Sequence, residues 1–116
     1  MQKRCVVVLE EAAQGFAALG SEARLQVLLT LVRAGRDGLS VGDIQTRTGM
    51  AASTLAHHLK FLASADLVVQ EKDGRSVINR AAFERLELLA GYILKECCAE
   101  EGKSFVLGVE RKAAND

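Results

Sequence analysis

Leu25, Leu28, Leu29 and Val32 recur at i, i+3, i+4 and i+7, the one-sided apolar stripe of an amphipathic helix. Ser21 precedes that stripe as an N-cap and Gly35 follows it as a stop. The stretch from Val6 to Leu19 predicts an earlier helix, with Leu9, Ala13, Phe16 and Ala17 sharing one side, and Gly20 separates the two. After the turn signal Asp37-Gly38, the run Ser40-Val-Gly-Asp43 opens a helix like a capping box, with aspartate in place of glutamate or glutamine. This helix is short, Val41 to Arg47, and stops at Thr48-Gly49. The next spans Ala51 to Ala65 and buries Leu55, Leu59 and Leu62. A short helix, a glycine turn and a longer helix make a helix-turn-helix.

The period then shortens. Leu67, Val68 and Val69 favour a strand, Val77 and Ile78 a second, and Asp73-Gly74 between them signals a hairpin. From Ala81 the helical period returns, with Leu86, Leu89, Ala90, Ile93 and Cys97 on one stripe. Past Gly102 the pattern weakens, so residues 1–102 form the predicted domain and residues 103–116 a loosely held tail. The expected fold is mainly α with a small β-hairpin, in the order of four helices, two strands and a helix. A helix-turn-helix followed at once by a hairpin is a winged helix, whose second helix enters a major groove while the hairpin reaches neighbouring phosphates.

Composition narrows the function. At 116 residues and 49% apolar content the chain suits one folded domain. Its formal net charge is zero, so an anion-binding role has to come from local charge placement. Three cysteines, Cys5, Cys97 and Cys98, make a poor disulfide framework and suit a reducing, cytoplasmic setting. The apolar run from Cys5 to Leu9 is cut off by Glu10 and Glu11, too soon for a signal peptide, and no membrane span follows. No glycine-rich phosphate loop, nucleophile elbow or catalytic carboxylate pair appears, so no enzyme is expected.

Local charge points to DNA. Residues 47–80 hold Arg47, Lys60, Lys72, Arg75 and Arg80 against Asp66, Glu71 and Asp73, while residues 81–116 carry an acidic excess. The predicted recognition helix offers Ser53, Thr54, His57, His58 and Lys60 as hydrogen-bonding groups, and the hairpin adds Lys72 and Arg75. As metal ligands His57 and His58 would point about 100° apart on a helix. One of them packing inward while the other faces DNA fits the pattern better.

The segments Leu19-Gly-Ser-Glu-Ala-Arg24-Leu, Met50-Ala-Ala-Ser-Thr-Leu-Ala-His-His-Leu-Lys60 and Ala65-Asp-Leu67-Val, with the wing Glu71-Lys-Asp-Gly-Arg75, resemble the ArsR/SmtB transcriptional repressors. The resemblance spans residues 10–100. It implies a homodimer joined through the first and last helices, bound to double-stranded operator DNA and released by an inducer. The family's Cys-Val-Cys-Asp arsenic and cadmium/lead signature is replaced here by Ser40-Val41-Gly42-Asp43. Its zinc and nickel site on the last helix finds neither histidine nor aspartate between Ala81 and Glu101. What remains is Cys97-Cys98, similar to a C-terminal cysteine pair in some arsenic-responsive members. Those members carry a third cysteine further on; here residue 104 is serine, which leaves Cys5 as a third candidate.

Thiolates select soft, thiophilic centres, and two of them make a poor zinc site. A methylated trivalent arsenical needs only two, whereas arsenite or antimonite would take three. The expected inducer is therefore a trivalent arsenical, arsenite or methylarsenite, with antimonite as a further candidate and no constitutive cofactor. Two competing readings are a thiol redox sensor with the same DNA-binding half, in which Cys5 pairs with Cys97 or Cys98, and a winged helix used only for protein contacts.

Overall fold

The computed structural model describes residues 7–101. Among these, α1 spans Leu9–Ala18, α2 Glu22–Ala34, β1 Leu39–Ser40, α3 Val41–Thr48, α4 Ala52–Ser64, β2 Val68–Asp73, β3 Ser76–Ala81 and α5 Phe83–Leu94. Single 3-10 turns follow α2 and α5, at Gly35–Asp37 and Ala99–Glu101. Cys5 and the tail predicted over residues 103–116 lie outside the described residues.

The capping signals in the sequence are used. Ser21 Oγ accepts from the Arg24 amide at 3.3 Å and opens α2; Ser40 Oγ accepts from the Asp43 amide at 3.1 Å and opens α3. Gly49 closes α3 in the left-handed conformation, φ 78°, and donates to Gln45 O at 2.8 Å. That single residue turns the chain between the two helices of the helix-turn-helix. Helix α4 ends on a Schellman-type wrap, the Leu67 amide donating to Leu62 O at 3.0 Å. The left-handed position there is taken by Asp66, φ 66°, where glycine is usual.

Val27, Leu28 and Leu31 of α2, Ile44 of α3, Leu55, Leu59 and Leu62 of α4, and Leu67, Val68 and Ala81 from the sheet close a common core. On α2 the buried stripe is thus set by Val27 and Leu31. Leu25 and Leu29, placed on the core stripe by periodicity, keep over a third of their surface exposed.

The sheet has three antiparallel strands in the order β1-β3-β2 rather than two. The extra strand is only two residues long, and Leu39 opposite Asn79 and Ser40 opposite Ile78 set its register. Asn79 is fully buried. It accepts from Gln70 Nε2 at 2.9 Å and donates to Leu39 O at 3.2 Å, so one amide ties all three strands.

Two expectations are corrected on the outer helices. The buried side of α1 is Ala12, Gly15 and Ala18, not Leu9, Ala13, Phe16 and Ala17, which face out. Small residues let α1 approach α5: a Cβ on Gly15 would stand 2.9 Å from Leu89 Cδ2. The last helix runs from Phe83 and stops at Leu94, so Cys97 is not on its stripe. Its final turns tighten, with Glu96 and Cys97 donating to Ile93 O and Leu94 O, three residues back. No basic residue sits in the last turn, and Glu96, Glu100 and Glu101 bring negative charge to the negative end of the helix dipole.

Candidate nucleic-acid interface

Burying Leu55, Leu59 and Leu62 rotates the rest of α4 outward. Ser53, Thr54, His57 and Lys60 are exposed, Lys72 and Arg75 stand exposed on the hairpin, and Arg47 is exposed in the last turn of α3. The structure thus carries these predicted residues on α4 and the wing, with Arg47 at the end of α3, all built on one core. Arg80, the remaining cation of the basic stretch, is committed internally: it pairs with Glu71 across the hairpin and its Nε donates to Arg36 O at 2.9 Å.

The two histidines separate as expected. His57 is exposed and His58 half-buried, with ring centroids 6.0 Å apart. His58 Nδ1 is buried without a hydrogen-bond partner among the described residues. Burial first, then the Arg24 guanidinium, then His57 hold the His58 imidazole below its ordinary range.

Two residues that sequence reasoning passed over adjoin this surface. Phe61 is 40% exposed on α4, and the Arg24 guanidinium carbon lies 4.0 Å from its ring centroid. Arg24 is itself anchored, its Nε donating to Ala18 O at 2.7 Å and its Nη2 to Ala17 O at 3.5 Å, at the C-terminal end of α1. Periodicity could have placed Phe61 outside the Leu55-Leu59-Leu62 stripe; nothing in the sequence pairs it with Arg24.

The cysteines lie apart from this surface. Cys97 is half-buried and Cys98 exposed, on the turn after α5, with their Sγ atoms 3.5 Å apart and Cys98 in a left-handed conformation, φ 60°. The sulfurs share a hydrogen bond and no covalent link. That bond and the charge of Cys97, with a smaller part from a hydrogen bond to Glu101, push the Cys98 thiol above its ordinary range. Among the described residues, no three His, Cys, Asp or Glu side chains gather as a metal site, and no single helix is long and apolar enough to cross a membrane.

Comparison with known proteins agrees with this architecture. Residues 19–71 match a family model described as a helix-turn-helix domain. The chain is 36% identical over 64 residues to YceK of Bacillus subtilis strain 168, an uncharacterised helix-turn-helix-type transcriptional regulator. That match takes in 55% of this chain and 63% of YceK, so the chain spans less than two thirds of that relative's length. An ArsR-like transcriptional regulator from Rhodococcus sp. RHA1 superposes with a TM-score of 0.67 at 32% identity, covering 91% of this chain and 90% of its own. The homodimeric winged helix-turn-helix DNA-binding domain Mb0332 of Mycobacterium bovis superposes with a TM-score of 0.60 at 31% identity, over 81% of this chain and 82% of that one. Fold, element order and similarity over nearly the whole length converge: the chain belongs to the ArsR family of winged helix-turn-helix transcriptional regulators.

Proposed function

We propose that the protein is a homodimeric repressor that binds double-stranded operator DNA through α4 and the wing and releases it when a trivalent arsenical bridges Cys97 and Cys98. The observation that carries the sensing half is the pair of sulfurs 3.5 Å apart at the protein surface, on a turn directly attached to α5. A methylarsenite molecule exchanges its two hydroxyls for the two sulfurs; the thiol protons leave with them as two waters, and no electrons move. Two As–S bonds satisfy that centre, whereas a structural zinc ion asks for four ligands. Peroxide sensing is the second reading; it would use the same two thiols, and the response of the DNA complex to peroxide separates it from arsenical sensing.

The dimer reading rests on α1 and α5. Leu9 is 70% exposed and Ile93 61% exposed, and with Phe16 they leave an apolar surface on the two helices. Between α2 and α5 a groove of about 440 Å³ lined by Phe16, Leu29, Val32, Phe83 and Leu86 extends it. A second copy can cover such a surface by two-fold symmetry, and the similar Mycobacterium bovis domain is itself homodimeric. A ligand on the turn after α5 then bears on the spacing of the two α4 helices, which has to match about 34–36 Å for both half-sites to be filled.

Titrating the protein–DNA complex with methylarsenite, arsenite, antimonite, zinc and cadmium tests the proposal. Methylarsenite is expected to weaken binding 5- to 150-fold, the usual range of allosteric coupling. Cys97→Ser and Cys98→Ser should each keep DNA binding and lose the response, and Cys5→Ser should matter only for ligands that need three thiolates. A Cys97→Ser/Cys98→Ser variant that still releases DNA on methylarsenite moves the sensor elsewhere. Release by peroxide and not by arsenicals turns the reading to the redox sensor.

A further inference from the structure

The outward side of α4 carries hydrogen-bonding side chains and two small alanines, Ala52 and Ala56, and a single large apolar group. His57, Phe61 and Ser64 stand at i, i+4 and i+7, and with Lys60 they line an open cleft of about 290 Å³. Phe61 takes no part in the Leu55-Leu59-Leu62 stripe that holds α4 on the core. A large ring left 40% exposed in a polar row is unfavourable unless something covers it on binding.

The ring is also held still. Arg24 stacks on it at 4.0 Å, and the carbonyls of Ala18 and Ala17 fix Arg24 in turn. The cations around the cleft are Lys60 on its lining and Arg24 over the Phe61 ring; no acidic residue lines it, as suits a polyanion rather than another protein's basic surface. In a major groove the one apolar group that varies with sequence is the thymine methyl, and phenylalanine is among the residues that read it.

We propose that Phe61, positioned by Arg24, is a specificity residue that packs against the 5-methyl group of a thymine in each operator half-site. This rests on the reading of α4 as the helix that enters the major groove. The test replaces thymine by deoxyuridine, which removes that methyl and leaves every hydrogen-bonding group in place. Duplexes are first enriched from a random pool with the wild-type protein, and each thymine is then replaced in turn.

One position per half-site should cost wild type about fourfold in affinity, the equivalent of about 0.8 kcal/mol for one buried carbon. In Phe61→Ala that position should bind thymine and deoxyuridine alike. Phe61→Leu, which keeps an apolar side chain, should retain part of the preference. Arg24→Lys, which keeps the charge and loses the planar stack, should shrink the thymine-to-deoxyuridine ratio while leaving the salt dependence of binding unchanged. If Phe61→Ala weakens both duplexes equally, or changes the oligomeric state, the ring is structural and the inference falls. If the wild-type protein enriches no duplex at all, the recognition-helix reading fails first.

Discussion

Between α2 and β3, apolar side chains find one another within the chain: Val27, Leu31, Ile44, Leu55, Leu59, Leu62 and Leu67 are buried to 1% exposure or less. Their outward faces are mostly polar, with Leu25, Leu29, Phe61 and Val69 as the large apolar groups left over a third exposed, and the tight turns and strand pairings are closed by side-chain hydrogen bonds. On α1 and α5 the balance is reversed. The inward faces offer mainly Ala12, Ala18 and Leu89, while Leu9, Phe16 and Ile93 point away from the core. The first region closes its core within one chain; the second does so only in part. A weakly committed region is also where a small ligand can do most, since local rearrangement there costs least. The cysteine pair is attached to that region and not to the helix-turn-helix.

The contrast can be broken most forcefully from the core. Leu31→Ala should cost about 2–5 kcal/mol of folding stability in urea titration, whereas Ile93→Ala, measured on dissociated monomer, should cost well under 1 kcal/mol. Equal losses at the two sites would erase the distinction. Next in size, Ile93→Glu should weaken self-association at least tenfold by sedimentation while the circular dichroism spectrum is kept. A variant that remains as dimeric as its parent would place the partner surface elsewhere.

A smaller effect concerns the strap between the regions. Arg85 at the start of α5 lies 3.1 Å from Asp66 after α4 and 3.7 Å from Glu11 on α1. Asp66 is exposed, so Asp66→Asn should remove less than about 1 kcal/mol. A double-mutant cycle with Arg85→Gln should localise most of that to the pair.

The smallest expected effect is a pH dependence inside the complete region. The unfolded chain takes up a proton at His58 below about pH 6.5. In the folded protein burial and Arg24 oppose it. Stability should therefore fall as pH drops below that point, and His58→Gln should flatten the profile. A profile unchanged in the variant would show that the ring titrates freely.

The complete region was also the more legible one. Ser21, Ser40 and Gly49 announce helix ends by chemistry that acts over three or four residues, and Leu55, Leu59 and Leu62 repeat cleanly. Together with the Asp73-Gly74 hairpin signal between two apolar runs, these yield the winged-helix order. Legibility fails where the decisive partner is distant or small. In α1 the core face is made of alanine and glycine, so the larger residues draw the eye to the wrong side. Strand β1 is two residues long and exists only because β3 lies beside it. The stop of α5 at Leu94 leaves no mark on the apolar stripe, which reads on through Cys97. Of the interface, the side chains on α4 and the wing could be named from the sequence; the stacking of Arg24 on Phe61, 37 positions away, could not.

Asn79 has a consequence beyond holding the sheet together. Every residue of β2 after Val68 is exposed, so hydrophobic burial does little to forbid β2 and β3 from sliding past each other. A slip of one position would swing Asn79 to the opposite face and part it from both Gln70 and Leu39. The amide therefore works as a registration peg near the base of the hairpin. With the strands pegged there, side chains beside the turn glycine Gly74 (φ 67°), Arg75 among them, can change without misaligning what lies beneath. A lineage carrying this peg can alter the exposed side chains of its hairpin in single substitutions, each tried on an unaltered scaffold.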